Sequence, residues 1–425
     1  MPTYGVMGLT RPHVNEYELM RRPLSVLALL TVFVACQDSG PPTLALAFEP
    51  MESPAGGGSA EPFLSASKDA VYLSWLERTE GSYHELRFSQ LAQADWTDAS
   101  VVAGGDSFFV NWADFPSVSP GPQGTLWAHW LQRGDAGGYD YGVRVAHSAD
   151  QGATWSEAWT PHEDGTPTEH GFVSVLAMEE SVGFVWLDGR KTAGGEEAVH
   201  EMTLRFREIG TDGTPGPETL LDGRTCDCCQ TDATVTPSGP VVLYRDRTQE
   251  PEVRDIYITR YVDGAWTEGV AVHDDGWHIW GCPVNGPSAA MAGGSLAVAW
   301  FTGAGDEPRV KIAFSEDDGA TFGEAVVIDG GNPAGRVAVV GLEDGTALVG
   351  WLERTGGEGA EVRMRRIRGT GEMSESVTLT ASSSSRASGF PQLVQAPDGS
   401  LLMAWTDVST DPSQVRVSRL LLEDR

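Results

Sequence analysis

One phrase returns seven times along the chain: VYLSWLER, LWAHWLQR, VGFVWLDGR, VVLYRDR, LAVAWFTG, ALVGWLER and LLMAWTDV. Its aromatic anchors are Trp75, Trp130, Trp186, Tyr244, Trp300, Trp351 and Trp405, spaced 51 to 58 residues apart. Each copy follows a run such as FPSVSP, GFVSVLA, TDATVTP or FPQLVQA and a turn that often carries Gly, which reads as an innermost strand and its hairpin into a second. A period of fifty-odd residues built from short alternating strands is the signature of radial blades. The expected fold is therefore all-β, a seven-bladed β-propeller of four-stranded antiparallel blades. The 51 Gly and 25 Pro, with no long apolar stretch at helical spacing, agree with it. The last repeat supplies only three strands, ending in VRVSRLLL, and the isolated TLALAF at 43–48 is expected to complete it and remove an open edge.

Two further stretches carry a family resemblance. SADQGATW (Ser148, Asp150, Gly152, Thr154, Trp155) and SEDDGATF (Ser315, Asp317, Gly319, Thr321, Phe322) both resemble the Asp-box of sialidase-like propellers, and YVDGAWTE is a degenerate third copy. Their role is structural: the Asp accepts hydrogen bonds inside a hairpin turn and the Gly takes a backbone conformation closed to other residues. True sialidases have six blades, so a six-bladed ring is the alternative to the seven anchors counted above.

The same resemblance implies an exo-α-sialidase-type chemistry, with an Arg cluster on a sugar carboxylate, an acid/base Asp and a Tyr nucleophile activated by a Glu. Arg190, Arg245, Arg247 and Arg336 are the candidates for the clamp, Asp114 or Asp188 for the acid, and Tyr244 and Glu169 for the nucleophile pair. The R-I-P stretch expected near the first blade is absent, and EPFLSAS stands in its place.

In an up-and-down blade, the start of the first strand and the end of the second share one face, while the turn between the third and fourth lies on the other. This sorts Asp114, Glu169, His170, the CDCCQTD stretch, His278, Cys282 and Arg336 onto one mouth of the central channel, opposite the Asp-boxes. Propellers bind ligands at such a mouth. Cys226, Cys228, Cys229 and Cys282 open neighbouring blades there, and three readings stay open. They form two disulfides, or with His170 and His278 a soft site for Cu(I) or Zn(II), or they act as reactive thiols. The binding alternative to the sialidase reading is a glycan or small ligand held at this mouth, with Trp112, Trp277 and Trp280 as stacking surfaces.

The N-terminal part resembles a bacterial lipoprotein signal: Met20-Arg21-Arg22, the apolar PLSVLALLTVFVA, then Cys36 as the residue to be lipidated. The expected organisation is a leader over 1–36, a tether over 37–60 and the propeller over 61–425. The expected location is extracytoplasmic, anchored by lipid, and in the outer membrane of a Gram-negative cell because Gln37 follows the cysteine. A formal charge of −31 argues against nucleic acid as a partner, and a monomer is expected.

Overall fold

The computed structural model describes residues 40–92, 94–194 and 199–423. The leader and Cys36 lie outside the described residues. Pro41–Arg425 forms one compact unit, built from seven antiparallel sheets.

The innermost strands are Ser59–Ala66, Ser117–Pro120, His170–Ala177, Asp232–Thr236, Ser288–Ala292, Pro333–Gly341 and Gln392–Gln395, in blades 1 to 7. Each is followed outward, in chain order, by the anchor strand and a third strand. The fourth position varies. In blades 1 and 4 it is split into two short pieces, and in blade 2 it shrinks to a bridge between Val145 and Trp159. In blade 7 it comes from the other end of the chain: Leu46–Met51 pairs with Gln414–Leu422, placing Leu46 opposite Leu422 and Met51 opposite Val417. That strand starts three residues beyond the start of the 43–48 stretch, and it joins the two ends of the ring through a full ladder.

The repeated phrase is explained by packing between blades. Each anchor ring lies against the blade before it. Trp186 packs with Trp127 and Val143, Trp300 with Leu243 and Ile258, Trp351 with Ala297 and Val310, and Trp75 with Leu402 and Ala404 across the ring closure. Aromatic side chains of this size bury roughly 150–250 Å² each, so one ring per blade supplies much of every interface.

The polar residues of the phrase serve the same end. An acid two positions after the anchor points to the same side of the strand and accepts the indole N–H: Glu77 from Trp75 at 3.0 Å, Asp188 from Trp186 at 2.9 Å and Glu353 from Trp351 at 2.6 Å. Directly across the ladder stands a cation. The pairs are Trp75 with Arg87, Trp130 with Arg144, Trp186 with Arg205, Trp300 with Lys311, Trp351 with Arg363 and Trp405 with Arg416. Blade 4 departs, setting Tyr244 against Tyr257.

The two Asp-boxes fold alike. Ser148 donates to Asp150 at 2.8 Å, and Asp150 accepts Thr154 N–H at 2.8 Å and its hydroxyl at 2.6 Å. Ser315, Asp317 and Thr321 repeat these bonds at 2.8, 2.8 and 2.7 Å. Gly152 and Gly319 take φ of 85° and 82°, and a Cβ on either would collide with Phe88 or Ile258 of the preceding blade. Each box is thus a turn that also locks onto its neighbour.

Candidate functional site at the channel mouth

The four arginines expected to clamp a carboxylate do not converge. Arg245 is 2% exposed and donates to the backbone oxygens of Asn285, Arg254 and Phe301 at 3.0, 2.6 and 2.7 Å, with its guanidinium over Trp277. Arg336 is likewise buried, donating to Ser388 Oγ and to the carbonyls of Ser384, Ser385 and Gly389 while it lies over Trp112 and Phe390. Both rivet one blade to the next. Arg190 is bound by Asp188 and Glu218, and Arg247 by Asp227 and Glu252. A sialidase-like triad of free guanidiniums is therefore not assembled from this set.

Tyr244 and Asp114 are corrected for the same reason. Tyr244 is fully buried and donates to Asp222 at 2.7 Å; burial and that carboxylate push its hydroxyl well above the ordinary tyrosine range, the opposite of activation. Asp114 is 2% exposed and caps the bulged start of blade 3, accepting Phe172 N–H at 2.7 Å. Phe172 there has φ of 53°. Asn285 does the same for the bulge at Arg336, φ 56°, at 2.7 Å. The shared geometry marks Asp114 as a brace between blades.

Asp114 nevertheless belongs to a proton-sharing group that sequence reasoning missed. Tyr141, at the start of the third strand of blade 2, donates to Glu169 Oε1 at 2.6 Å and lies 3.1 Å from Asp114 Oδ2, its ring stacked on Phe109. Burial pushes Asp114 up to about 8 and Glu169 up to about 7, opposed by the hydrogen bonds each accepts. Only Glu169 reaches the rim, where the Asp227 carboxylate adds to its shift.

Next to it, Asp188 is the centre of a larger ion cluster. It accepts Arg190 Nε and Nη2 at 2.7 and 2.6 Å and lies 3.6 Å from His170 Nε2. His170 also faces Asp164 at 3.1 Å and stacks on His162 with ring centroids 3.8 Å apart. Hydrogen-bond accounting sets the protonation. His170 Nδ1 faces the Thr168 carbonyl at 3.0 Å and must donate, while its Nε2 faces two carboxylates and must donate as well, so His170 is an imidazolium. Burial disfavours that charge, but Asp164 and Asp188 outweigh it and hold His170 above its ordinary value. His162 Nε2 accepts Val143 N–H at 3.2 Å, which leaves its proton on Nδ1 toward Asp164; burial lowers it and it is neutral. Neither ring keeps a lone pair free, so His162, Asp164 and His170 form a closed charge network. His170 is thereby removed from the cysteine site.

The cysteines divide. Cys228 and Cys282 are joined in a disulfide with Cα atoms 5.9 Å apart, whereas Cys226 and Cys229 are buried thiols. The four-thiolate set for a soft metal is not what this arrangement presents, and His278 donates from Nδ1 to the Glu252 carbonyl at 2.8 Å, facing solvent. The disulfide ties the loop between blades 4 and 5 to the start of blade 4. That loop carries Trp280, which is 96% exposed, while Trp277 is buried at 6% and Trp112 is stacked on Phe390. Of the three aromatics considered for stacking, Trp280 alone is fully presented. Its loop joins the rim through His278, Glu252, Arg247 and Asp227.

Below the rim, the channel holds a cavity of about 250 Å³ walled mainly by apolar residues such as Phe115, Phe172, Val339 and Phe390, with Ser117, Thr231, Asp232 and Ser288 among its polar groups. No arginine or lysine lines it.

No family model and no curated protein matches the sequence. Solved structures match over nearly the whole ring. The polysaccharide lyase Uly1 is 9% identical, aligns over 93% of this chain and 94% of its own, and gives a TM-score of 0.53. A protein of unknown function from Dyadobacter fermentans is 14% identical over 91% of this chain and 100% of its own, with a TM-score of 0.49. The Trypanosoma rangeli sialidase in complex with sialic acid is 12% identical over 77% of this chain and 56% of its own, at 0.43. The fold is a seven-bladed β-propeller.

Proposed function

We propose that this protein is an exported, lipid-anchored propeller that binds a neutral glycan on the rim of its channel over blades 3 to 5. The observation that carries the reading is Trp280: a fully exposed indole, on a loop stapled by Cys228–Cys282, at the edge of a rim bearing Glu169, Asp227, Glu252 and Arg247. A flat aromatic face beside charged hydrogen-bonding groups suits a sugar ring, whose C–H face stacks while its hydroxyls bond. The polysaccharide-acting neighbour of the same fold favours a carbohydrate over other small ligands. The charge of −31 and a channel cavity without arginine or lysine favour an uncharged sugar over a sialoside or another polyanion. Export and lipidation rest on the leader and Cys36.

Titration with neutral arabinan, xylan and β-glucan fragments, followed by tryptophan fluorescence and calorimetry, tests the reading. Binding by at least one fragment, weakened tenfold or more in Trp280→Ala, is the expected result. Absence of binding by all three classes, or unchanged binding in Trp280→Ala, counts against it.

A second reading, cleavage of the bound glycan, is favoured by one observation: Glu169, pushed up to about 7 and bonded to Tyr141, can give or take a proton at neutral pH. Hydrolysis of a fluorogenic glycoside that disappears in Glu169→Gln, with binding retained, would support it.

A further inference from the structure

The stretch Cys-Asp-Cys-Cys contains a second spacing. Without its central cysteine, Cys226 and Cys229 stand as C-x-x-C, the arrangement of exchangeable dithiols. The fold removes that central residue by bonding Cys228 to Cys282, 54 positions on. The two pairs differ in access. Cys282 is exposed and Cys228 partly so, whereas Cys226 and Cys229 are 0% and 1% exposed. Yet the sulfurs are close: those of Cys226, Cys228 and Cys229 all lie within 4.8 Å of one another, and Cys226 and Cys229 approach to 2.7 Å. Non-bonded carbon atoms rest about 3.5–4.0 Å apart and sulfur is larger, so the inner pair is held at a separation suited to bond formation.

The inner pair is also polarised. Burial raises both thiols, but for Cys226 the contact with Cys229, the Cys228 N–H and the charges of Arg245 and Arg254 reverse this and bring it to about 7. Arg254 Nη1 lies 3.7 Å from its sulfur. Cys229 is pushed well above the ordinary range. A low nucleophile beside a high resolving thiol is the division of labour that thiol exchange requires.

We propose that the four sulfurs form a two-stage disulfide relay, in which the buried Cys226–Cys229 dithiol passes two electrons to the exposed Cys228–Cys282 disulfide, the port for exchange with an external disulfide. In the first step the Cys226 thiolate attacks Cys228 Sγ. The 226–228 bond forms, the 228–282 bond breaks, and Cys282 leaves as a thiolate that takes a proton from water. Cys229, giving up its proton, then attacks Cys226 Sγ and expels Cys228. The inner pair is now oxidised and the outer pair reduced, with electrons and protons balanced. A low-molecular-weight disulfide, reduced to two thiols, restores the outer bond by the same exchange. Opening the outer bond also removes the covalent tie between the Trp280 loop and blade 4. The relay does not depend on glycan binding.

The test uses the full chain, reduced under native conditions, freed of reductant and exposed to oxidised glutathione, with timed acid quench, alkylation and peptide mapping. The expected course in the wild type is the outer bond first, then the 226–229 bond, ending with none of Cys226, Cys228, Cys229 and Cys282 alkylatable. In the double variant Cys228→Ser/Cys282→Ser, the inner pair should oxidise at least tenfold more slowly. In Cys226→Ser, which keeps the outer staple and guards against a folding defect in the double variant, the disulfide formed by one equivalent of oxidant should remain at 228–282. An inner pair that stays reduced in the wild type, or oxidises equally fast without the outer pair, overturns the proposal. So does purification of the chain with stoichiometric zinc or copper on all four thiolates.

Discussion

Blades 3 and 6 share one latch and use it differently. In blade 6, Glu353 accepts Trp351 Nε1 at 2.6 Å and the N–H groups of Asn332 and Gly330 at 2.8 and 3.2 Å, and its carboxylate is satisfied within the blade and its preceding loop. Blade 1 repeats this with Glu77, Trp75 and Gly56. In blade 3 the equivalent Asp188 still holds Trp186, but it also gathers Arg190, Arg205 and the His170 imidazolium. The loop that supplies His162 and Asp164 has no counterpart on the Glu353 latch. The comparison teaches that an Arg or Asp recurring with the repeat is blade architecture, and that chemistry is to be sought where one blade adds groups the others lack.

The largest expected effect separates the two latches. Asp188→Ala removes the carboxylate shared by His170, Arg190 and Arg205, leaving them only Asp164 and Glu218, and should cost about 3–5 kcal/mol, whereas Glu353→Ala strands N–H donors only and should cost about 1–3 kcal/mol. Urea unfolding of the two variants checks the ranking, and equal losses would break the distinction between them. pH provides the next contrast. Glu61, Asp114, Glu169 and Asp246 are pushed up by burial to about 7, 8, 7 and 7, so the folded chain keeps protons that the unfolded chain releases near pH 4. Raised folded values mean that stability is fullest below the unfolded values and falls as pH climbs toward 8. His170, also raised, acts in the same direction. The melting temperature should therefore fall between pH 5 and pH 8, and Asp114→Asn should flatten that fall; a curve that rises over this range would contradict the assignment. The smallest effect on stability belongs to Trp280→Ala, within about 0.5 kcal/mol, because the ring touches little. Its consequence should appear in glycan titrations alone, and a large drop in melting temperature would show that the ring serves the fold.

The blade count, the anchors and the Asp-box turns were legible because each repeats, and repetition records a packing requirement met seven times. The strand Leu46–Met51 was legible in outline from an apolar stretch near an unfinished last blade, with its boundary set by the ladder to Val417–Leu422. Arg245, Arg336 and Tyr244 have the look of site residues in the sequence for an equally physical reason. Residues at strand ends face either the channel or the next blade, and only the fold shows that these three turn into the interface. Tyr141, His162 and Asp164 carried no signal, lying at the start of an outer strand or in a connector without periodicity. The C-x-x-C pair was hidden behind its vicinal cysteine until the structure assigned Cys228 to Cys282.

Hydrogen exchange read by mass spectrometry, on the chain with and without the neutral oligosaccharide that binds it best, tests the central claim most directly. Protection should concentrate in residues 226–232 and 276–286 and weaken in Trp280→Ala. Protection confined to the Asp-box hairpins at 148–155 and 315–322, at the opposite end of the channel, would contradict a working rim over blades 3 to 5.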